Sequence, residues 1–333
     1  MPDLKFDVLG IGNAIVDVIA RTEDDFLVQQ KMHKGGMALI DEPRAQSIYA
    51  AMGKAVEKSG GSAANTIVGV ADFGARGAFV GKVKSDQLGG VFSHDIRAAK
   101  VAFDTRAATD GPATACSYIL VTPDGERTMK TYLGASAQLT ADDIAEEVIA
   151  QAQWVYLEGY LLAGESTRAA SFHALDLARK HGTRIAYSFS DGFLVANFGE
   201  YVKHIVTTYA DLVFANELEA AAYTGRRDPQ ASLGAIVQDC PNACVTCSEN
   251  GSYIHYNGET RYVPAFAAQP VDLTGAGDMY AAGVLYALSV HAAPERAAQL
   301  GSCAASYVVQ QMGARLPGNL LATVQDILGT SSR

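Results

Sequence analysis

The sequence predicts an α/β fold: a three-layer α/β/α sandwich around a mostly parallel central sheet, with a small β-sheet lid attached. Three observations carry that prediction. Strand-like apolar runs alternate with helix-like segments along most of the 333 residues, the pattern of a parallel sheet covered on both faces. Two stretches, 15–41 and 102–133, break the alternation with short alternating strands and little helix. Glycine-rich turns at Gly60-Gly61-Ser62 and Gly275-Ala276-Gly277 each run straight into a helical segment.

In chain order, the apolar runs 7–11, 77–80, 154–157, 184–187, 211–214 and 243–246 read as buried strands. Between them, 62–73 is a helix stopped by Gly74, and Thr140 with Asp143 looks like a capping start for a helix reaching 151. A helix over 166–181 ends at Gly182, and further helices fall at 216–223, 231–239, 277–290 and 294–311. Thr122-Pro123-Asp124-Gly125 marks a hairpin between two strands of the second helix-poor stretch. The two stretches are similar in character, so they are expected to pair into one small sheet. This assigns 1–14, 42–101 and 134–333 to the main body, and 15–41 and 102–133 to a lid over a cleft.

Composition narrows the function. Charged residues make up 19% and apolar ones 49%, a globular profile. A formal charge of −10 argues against nucleic acid as a partner and against an anionic membrane surface. No apolar run approaches the ~20 residues needed to span a bilayer. The chain's first residues are short and polar and lead directly into a strand, leaving no room for a signal peptide. The expectation is a cytoplasmic protein. Cys240, Cys244 and Cys247 have a spacing that can hold an iron-sulfur cluster, but a buried strand at 243–246 would turn neighbouring side chains to opposite faces. They are read as small core residues.

Asp272-Leu273-Thr274-Gly275-Ala276-Gly277-Asp278 is the most informative segment. Small residues at a helix start leave backbone N–H groups facing outward, where the helix dipole favours an anion such as phosphate. A carboxylate beside that phosphate needs a purpose, and taking a proton from an attacking hydroxyl supplies one, which makes Asp278 the candidate general base. The competing reading is a tight loop with a dipole-stabilising acid.

Gly60, Gly61 and Ser62 open a second helix with Asn65 one turn in, a polar-ligand site or a plain capped helix. After the first strand, Gly10-Ile11-Gly12-Asn13 lacks the third glycine of a dinucleotide fingerprint, and no helix follows it. Asn13 and Asp17 instead put an amide and a carboxylate at the junction of body and lid, suited to sugar hydroxyls or to a turn. Asn216 and Glu219 open a helix after an apolar strand, with spacing for the water shell of magnesium or for a capping box. Gly81-Lys82 lacks the spacing of a phosphate-binding P-loop.

Together and in this order, from Gly10 to about Pro317, these motifs resemble the ribokinase or PfkB-type family of carbohydrate and nucleoside kinases, and within it the adenosine kinases. The similarity rests on Gly12-Asn13 with Asp17, Gly60-Gly61-Ser62 with Asn65, Thr114-Ala115-Cys116, Arg127 before Leu133, Phe214-Ala215-Asn216-Glu217, the D-L-T-G-A-G-D segment, and Gly301 to Ser306. The resemblance implies transfer of the γ-phosphoryl group of ATP, with magnesium, to the 5'-hydroxyl of a nucleoside, or else to a free sugar such as ribose or fructose. Another nucleoside (guanosine, inosine or cytidine) is the remaining alternative.

By the same resemblance Asp278 is the base, Gly275, Ala276 and Gly277 form the anion hole, and Arg127 moves with the lid toward the transferring group. Asn13, Asp17, Gly60, Gly61, Ser62, Asn65, Cys116, Thr131 and Leu133 are assigned to the acceptor. Asn216, Thr246, Ser248, Gly251, Ser302 and Ser306 are assigned to ATP, and Asn216 and Glu219 to magnesium through water. Family members often use a potassium ion, which would place Asp272 and Thr274 beside it. Tyr132, Leu133, Tyr160 and Leu161 offer an apolar slot for a purine or are simply core. Monomer and homodimer both remain open. So does a nucleoside sensor without chemistry, although a mere binder gains nothing from a carboxylate beside a phosphate.

Overall fold

The computed structural model of the chain describes residues 4–316 and 320–329. Residues 1–3, 317–319 and 330–333, which the sequence reading places in the main body and which include Pro317 at the end of the resemblance, lie outside the described residues. The strands are β1 (Phe6–Ile11), β2 (Ile15–Arg21), β3 (Met37–Leu39), β4 (Ala55–Gly60), β5 (Gly77–Val80), β6 (Ala115–Val121), β7 (Arg127–Tyr132), β8 (Ala152–Glu158), β9 (Arg184–Ser188), β10 (Leu212–Asn216), β11 (Ala243–Thr246), β12 (Ser252–Tyr256) and β13 (Glu259–Val263). They form an eight-stranded sheet in the order β13-β12-β11-β10-β9-β8-β1-β5 and a five-stranded sheet in the order β3-β7-β6-β2-β4. The large sheet is parallel except at the β11-β12-β13 edge.

Burial on both faces explains why its strands read as continuous apolar runs. Along β1, Val8 joins the core that holds Ile67 and Met279, whereas Leu9 and Ile11 join the one that holds Leu175 and Ile205. Along β8, Trp154 and Tyr156 point one way and Val155 and Leu157 the other. Helices Ser62–Asp72, Ala276–Ser289 and Pro294–Val308 therefore make one outer layer, and Glu165–His181, Gly199–Thr208 and Pro229–Ile236 the opposite one. Each large apolar side chain so buried contributes about 1.5–3 kcal/mol, so the two cores hold the layers together.

Glycines bring the site-bearing helices together. A Cβ on Gly69 would lie 2.8 Å from the Ala282 Cβ, and one on Gly283 would lie 2.7 Å from the Gly301 Cα. Such close approach puts the N-terminal ends of Ser62–Asp72 and Ala276–Ser289 side by side.

In the small sheet, β2 pairs with β6 and β3 with β7 in parallel, while β2-β4 and β6-β7 are antiparallel. The β6-β7 hairpin turns at Gly125, with φ near 85°, and Thr122 Oγ1 donates to Asp124 Oδ1 at 2.6 Å.

Several elements differ from expectation. Segment 55–60, placed by the sequence reading in the main body, is the edge strand β4 of the small sheet. Its Glu57 and Lys58, charges of the kind edge strands tolerate, hide the apolar pattern. The helix expected over 140–151 is broken. The Asp143 side chain turns back to the Thr140 amide at 3.0 Å and its hydroxyl at 3.1 Å, closing a single turn, and a new helix spans Glu146–Ala150. The helix expected from Gly277 begins at Ala276 instead, because Gly275 takes the cap position in left-handed backbone. Among the described residues no helix is long and apolar enough to cross a membrane.

Candidate active site

Parallel strands deliver ligand-binding residues at their carboxyl ends, and a cavity of about 660 Å³ opens there. Asn13 follows β1, Glu158 ends β8, Ser190 and Asp191 follow β9, Asn216 ends β10 and Thr246 ends β11, and all of them line it. The opposite wall comes from the small sheet through Leu39, Ile119, Met129, Thr131 and Leu133. Ser62, Asn65 and the whole run from Leu273 to Asp278 complete the lining.

Asp278 stands in the first turn of helix Ala276–Ser289, where Ser62 Oγ donates to its Oδ1 at 2.7 Å and Asn65 Nδ2 to its Oδ2 at 3.2 Å. Burial pushes its carboxyl up from 3.8 to about 6, while those two donors and the charge of Arg315 pull the other way. Such a group is ionised at neutral pH and basic enough to accept a proton. Among the described residues the amides of Gly277 and Asp278 find no protein acceptor, and a Cβ on Gly277 would meet only open space. Two free donors at a helix start suit an anion.

Asp17 lies on β2, and its carboxylate accepts no hydrogen bond from the protein among the described residues, so both oxygens remain for a ligand. Burial raises it to about 6, against the pull of Arg315 and Arg127. Gly60 is needed beside it, because a Cβ there would lie 2.4 Å from Asp17 Oδ2. Gly61, with φ near 97°, could carry no side chain either, since a Cβ would lie 2.2 Å from the Asn13 carbonyl oxygen.

Asn216 and Glu219 form the capping box in full. Asn216 Oδ1 accepts from the Leu218 and Glu219 amides at 2.9 and 2.8 Å, and Glu219 accepts from the Asn216 amide and side chain at 2.9 and 2.8 Å. Both also line the cavity. Burial raises Glu219 to about 7.

Arg127 opens β7 and reaches across to the glycine loop, pairing with Asp272 and donating to Thr274 Oγ1. Asp272 also accepts from the Thr274 amide at 3.0 Å and the Gly313 amide at 2.7 Å. Asp272 and Thr274, assigned by the resemblance to potassium, are therefore both held by a guanidinium in this structure.

Other residues named from the sequence stand apart from this cavity. Cys116 does not face the cavity. Alternation along β6 sends Ser117 and Ile119 into it and Cys116 to the back of the sheet, beside Tyr49 and Tyr132. Tyr132 likewise turns away to donate to Glu42 at 2.8 Å, and Leu161 is core, which leaves Leu133 and Tyr160 from the proposed slot. Of the residues assigned to ATP, Asn216 and Thr246 line the cavity, whereas Ser248, Gly251, Ser302 and Ser306 do not. Ser248 and Gly251 shape the turn between β11 and β12 with positive φ, and Ser306 Oγ donates to the Cys303 carbonyl at 2.7 Å in its own helix. Lys82 is spent on Asp143. Cys240, Cys244 and Cys247 are buried in the core, and burial raises all three thiols.

Sequence reasoning missed two charged residues. Glu158 had a signal, since it is an acid at the carboxyl end of a predicted parallel strand. Arg315 had none. It lies in a loop beyond the last layer helix, where its Nη2 donates to the Ser59 carbonyl at 2.7 Å and the Ser59 hydroxyl at 3.0 Å. Its charge acts on Asp95, Asp17, Asp72 and Asp278.

Comparison with known proteins agrees with this geometry. The pfkB family of carbohydrate kinases matches residues 8–319. Adenosine kinase from Sinorhizobium meliloti is 44% identical, with a TM-score of 0.88 over 97% of this chain and 99% of that one. A probable sugar kinase from Rhizobium etli CFN 42 is 41% identical, with a TM-score of 0.89 over 97% and 98%. Guanosine-inosine kinase of Escherichia coli K12 is 26% identical over 235 residues, 67% of this chain and 54% of that protein, so the match spans about half of that relative's length.

Proposed function

The chain belongs to the pfkB family of carbohydrate kinases, and from that premise we propose that it transfers the γ-phosphoryl group of ATP to the 5'-hydroxyl of a nucleoside, adenosine, yielding AMP. The observation that carries this reading is Asp278, a carboxylate held by Ser62 and Asn65 beside the free amides of Gly277 and its own backbone. A base and an anion-binding helix end within one turn are what a hydroxyl and a terminal phosphate need from a protein.

In this reading Asp17 accepts hydrogen bonds from the sugar hydroxyls and Asn13 adds a second polar contact. Asp278 takes the 5'-hydroxyl proton. The amides of Gly277 and Asp278 bind the phosphate charge, and Arg127, which pairs with Asp272 and donates to Thr274, would supply a further cation from the lid on leaving those partners. The small sheet over the cavity excludes water, which guards against hydrolysis of the donor.

Asn216 and Glu219 would hold magnesium through water, in keeping with a metal that retains most of its hydration. When bound, that ion neutralises charge on the donor's phosphates. No step is assigned to potassium, because Arg127 already pairs with Asp272.

The choice of a nucleoside over a free sugar is supported by the apolar wall of Leu39, Ile119, Met129 and Leu133, which suits a flat base better than a hydroxyl-covered ring, and by the relative from Sinorhizobium meliloti. The decisive measurement is ADP release with ATP and magnesium against adenosine, guanosine, inosine, cytidine, ribose and fructose. Adenosine is expected to give the highest kcat/KM. No turnover of adenosine, with turnover of a sugar, would reject this acceptor and keep the kinase.

A further inference from the structure

Helix Ser62–Asp72 has no side-chain cap of its own, because Gly61 occupies the cap position and has no side chain to offer. Its orphan amide is satisfied from a distance of 95 residues: Ala63 N–H donates to Glu158 Oε2 at 2.7 Å. The other oxygen, Oε1, accepts from both the backbone amide and the side-chain Nδ2 of Asn13, each at 2.8 Å. Gly12 makes room for this carboxylate, since a Cβ there would lie 2.5 Å from Glu158 Oε2. Gly12 of one motif and the Ala63 amide of another thus meet one acid from a third element, and that acid is only 1% exposed.

We propose that Glu158 is the positioning residue of the acceptor pocket, clamping Asn13 and the start of helix Ser62–Asp72 into one rigid unit. The inference rests on the reading that Asn13 and Asp17 hold the acceptor. With its Nδ2 tied to Glu158, Asn13 is left with its side-chain oxygen for an acceptor hydroxyl. With Ala63 tied to the same carboxylate, Ser62 and Asn65 are held where they meet Asp278. Among the described residues Glu158 makes no hydrogen bond to the 275–278 turn, Asn216 or Glu219, so its loss should register in acceptor binding before ATP binding. Burial raises its carboxyl to about 7 while three donors oppose the shift, as expected for an acid kept in place by its bonds and not by solvent.

The test compares steady-state KM for adenosine and for ATP, with adenosine affinity measured by calorimetry, in the wild-type chain, Glu158→Gln and Gly12→Ala. An amide at 158 must turn its NH2 group toward Ala63 or Asn13, leaving at least one buried donor without an acceptor. A methyl at 12 would press on Glu158 Oε2 at 2.5 Å and on the Ala63 Cβ at 2.7 Å, prising apart the same clamp without altering the chemistry of the carboxylate. Both variants are expected to raise the adenosine KM and Kd about ten-fold, the size of one lost buried acceptor, while the ATP KM stays within two-fold or so. If Glu158→Gln does not fold, Gly12→Ala alone decides. An unchanged adenosine Kd in either folded variant would overturn the proposal, and so would an equal loss of ATP and adenosine binding, which marks a general scaffold defect. Failure of the wild-type chain to turn over any acceptor in the panel would instead reject the underlying reading before the variants are compared.

Discussion

Four acids with different partners line one cavity. Asp17 keeps its oxygens free, Asp278 takes two side-chain donors, Glu219 closes a cap and Glu158 clamps two chain segments. The consequences are sharpest at Asp278. Replacement by Asn should lower turnover by ~10² to 10⁴-fold, the range for a general base, with adenosine binding kept. The fold should tolerate it, since the buried Asn65 Oδ1 has no partner among the described residues and can accept from the new amide after a flip. A wild-type rate that falls as pH drops through about 6 is expected from the raised Asp278 carboxyl, and neighbouring Asp17 titrates in the same window, so the profile reports the pair. A D278N variant with full activity in the ADP-release assay would exclude this role.

At the level of elements, helix starts face the cavity and glycines decide what may approach them. Gly275 and Gly277 look alike in sequence but differ in place. Gly275 has φ near 80°, and a Cβ on it would lie 2.6 Å from the Ala314 Cβ and 2.7 Å from its Cα. Gly275→Ala should therefore destabilise the chain by about 2 kcal/mol or more, from backbone strain plus a clash. Gly277→Ala meets open space and should leave the urea midpoint nearly unchanged, yet its methyl would intrude where an anion docks and raise the ATP KM. Equal urea midpoints for the two variants would show that Gly275 is not under this constraint. The loop after helix Pro294–Val308 acts on the same elements: Gly313 bonds to Asp272, Ala314 packs on Gly275 and Arg315 bonds to Ser59 at the end of β4. It joins the glycine turn to the small sheet.

Across the whole molecule, the acids of the cavity make stability depend on pH. Burial raises Asp17 and Asp278 to about 6, and Glu158 and Glu219 to about 7. Each keeps its proton to higher pH when folded than when unfolded. The stability they contribute is full below their ordinary values, 3.8 for Asp and 4.5 for Glu, and is lost as pH rises through 6 to 7. Asp272, which is lowered, is already ionised in both states over that window and does not offset the trend. Calorimetry of the ligand-free chain should give a lower Tm at pH 8 than at pH 5, with a smaller difference in D278N. A Tm that climbs across this range would contradict the burial of these carboxyls.

Much of the molecule was legible in the sequence. The alternation of apolar runs with helices identified the large sheet because a strand buried on both faces has no choice but to be apolar throughout. Small residues at a helix start with an acid just after them marked the 275–278 turn, whose Gly275 has positive φ, since both are local requirements. What the sequence could not reveal depended on contacts between distant residues. Cys116 and Ser117 are neighbours in the chain, and only the register of β6 decides that Ser117 meets the cavity while Cys116 meets Tyr132. Strand β4 declared itself only by pairing with β2. Glu158 and Arg315 acquire their roles from partners 95 to 256 residues away. Local sequence determined the backbone shapes and the glycine turn at the helix start, because those follow from sterics within a few residues. Tertiary structure alone decided which carboxylates stay free, which are clamped and which are charged, because burial and hydrogen bonding are properties of the packed chain.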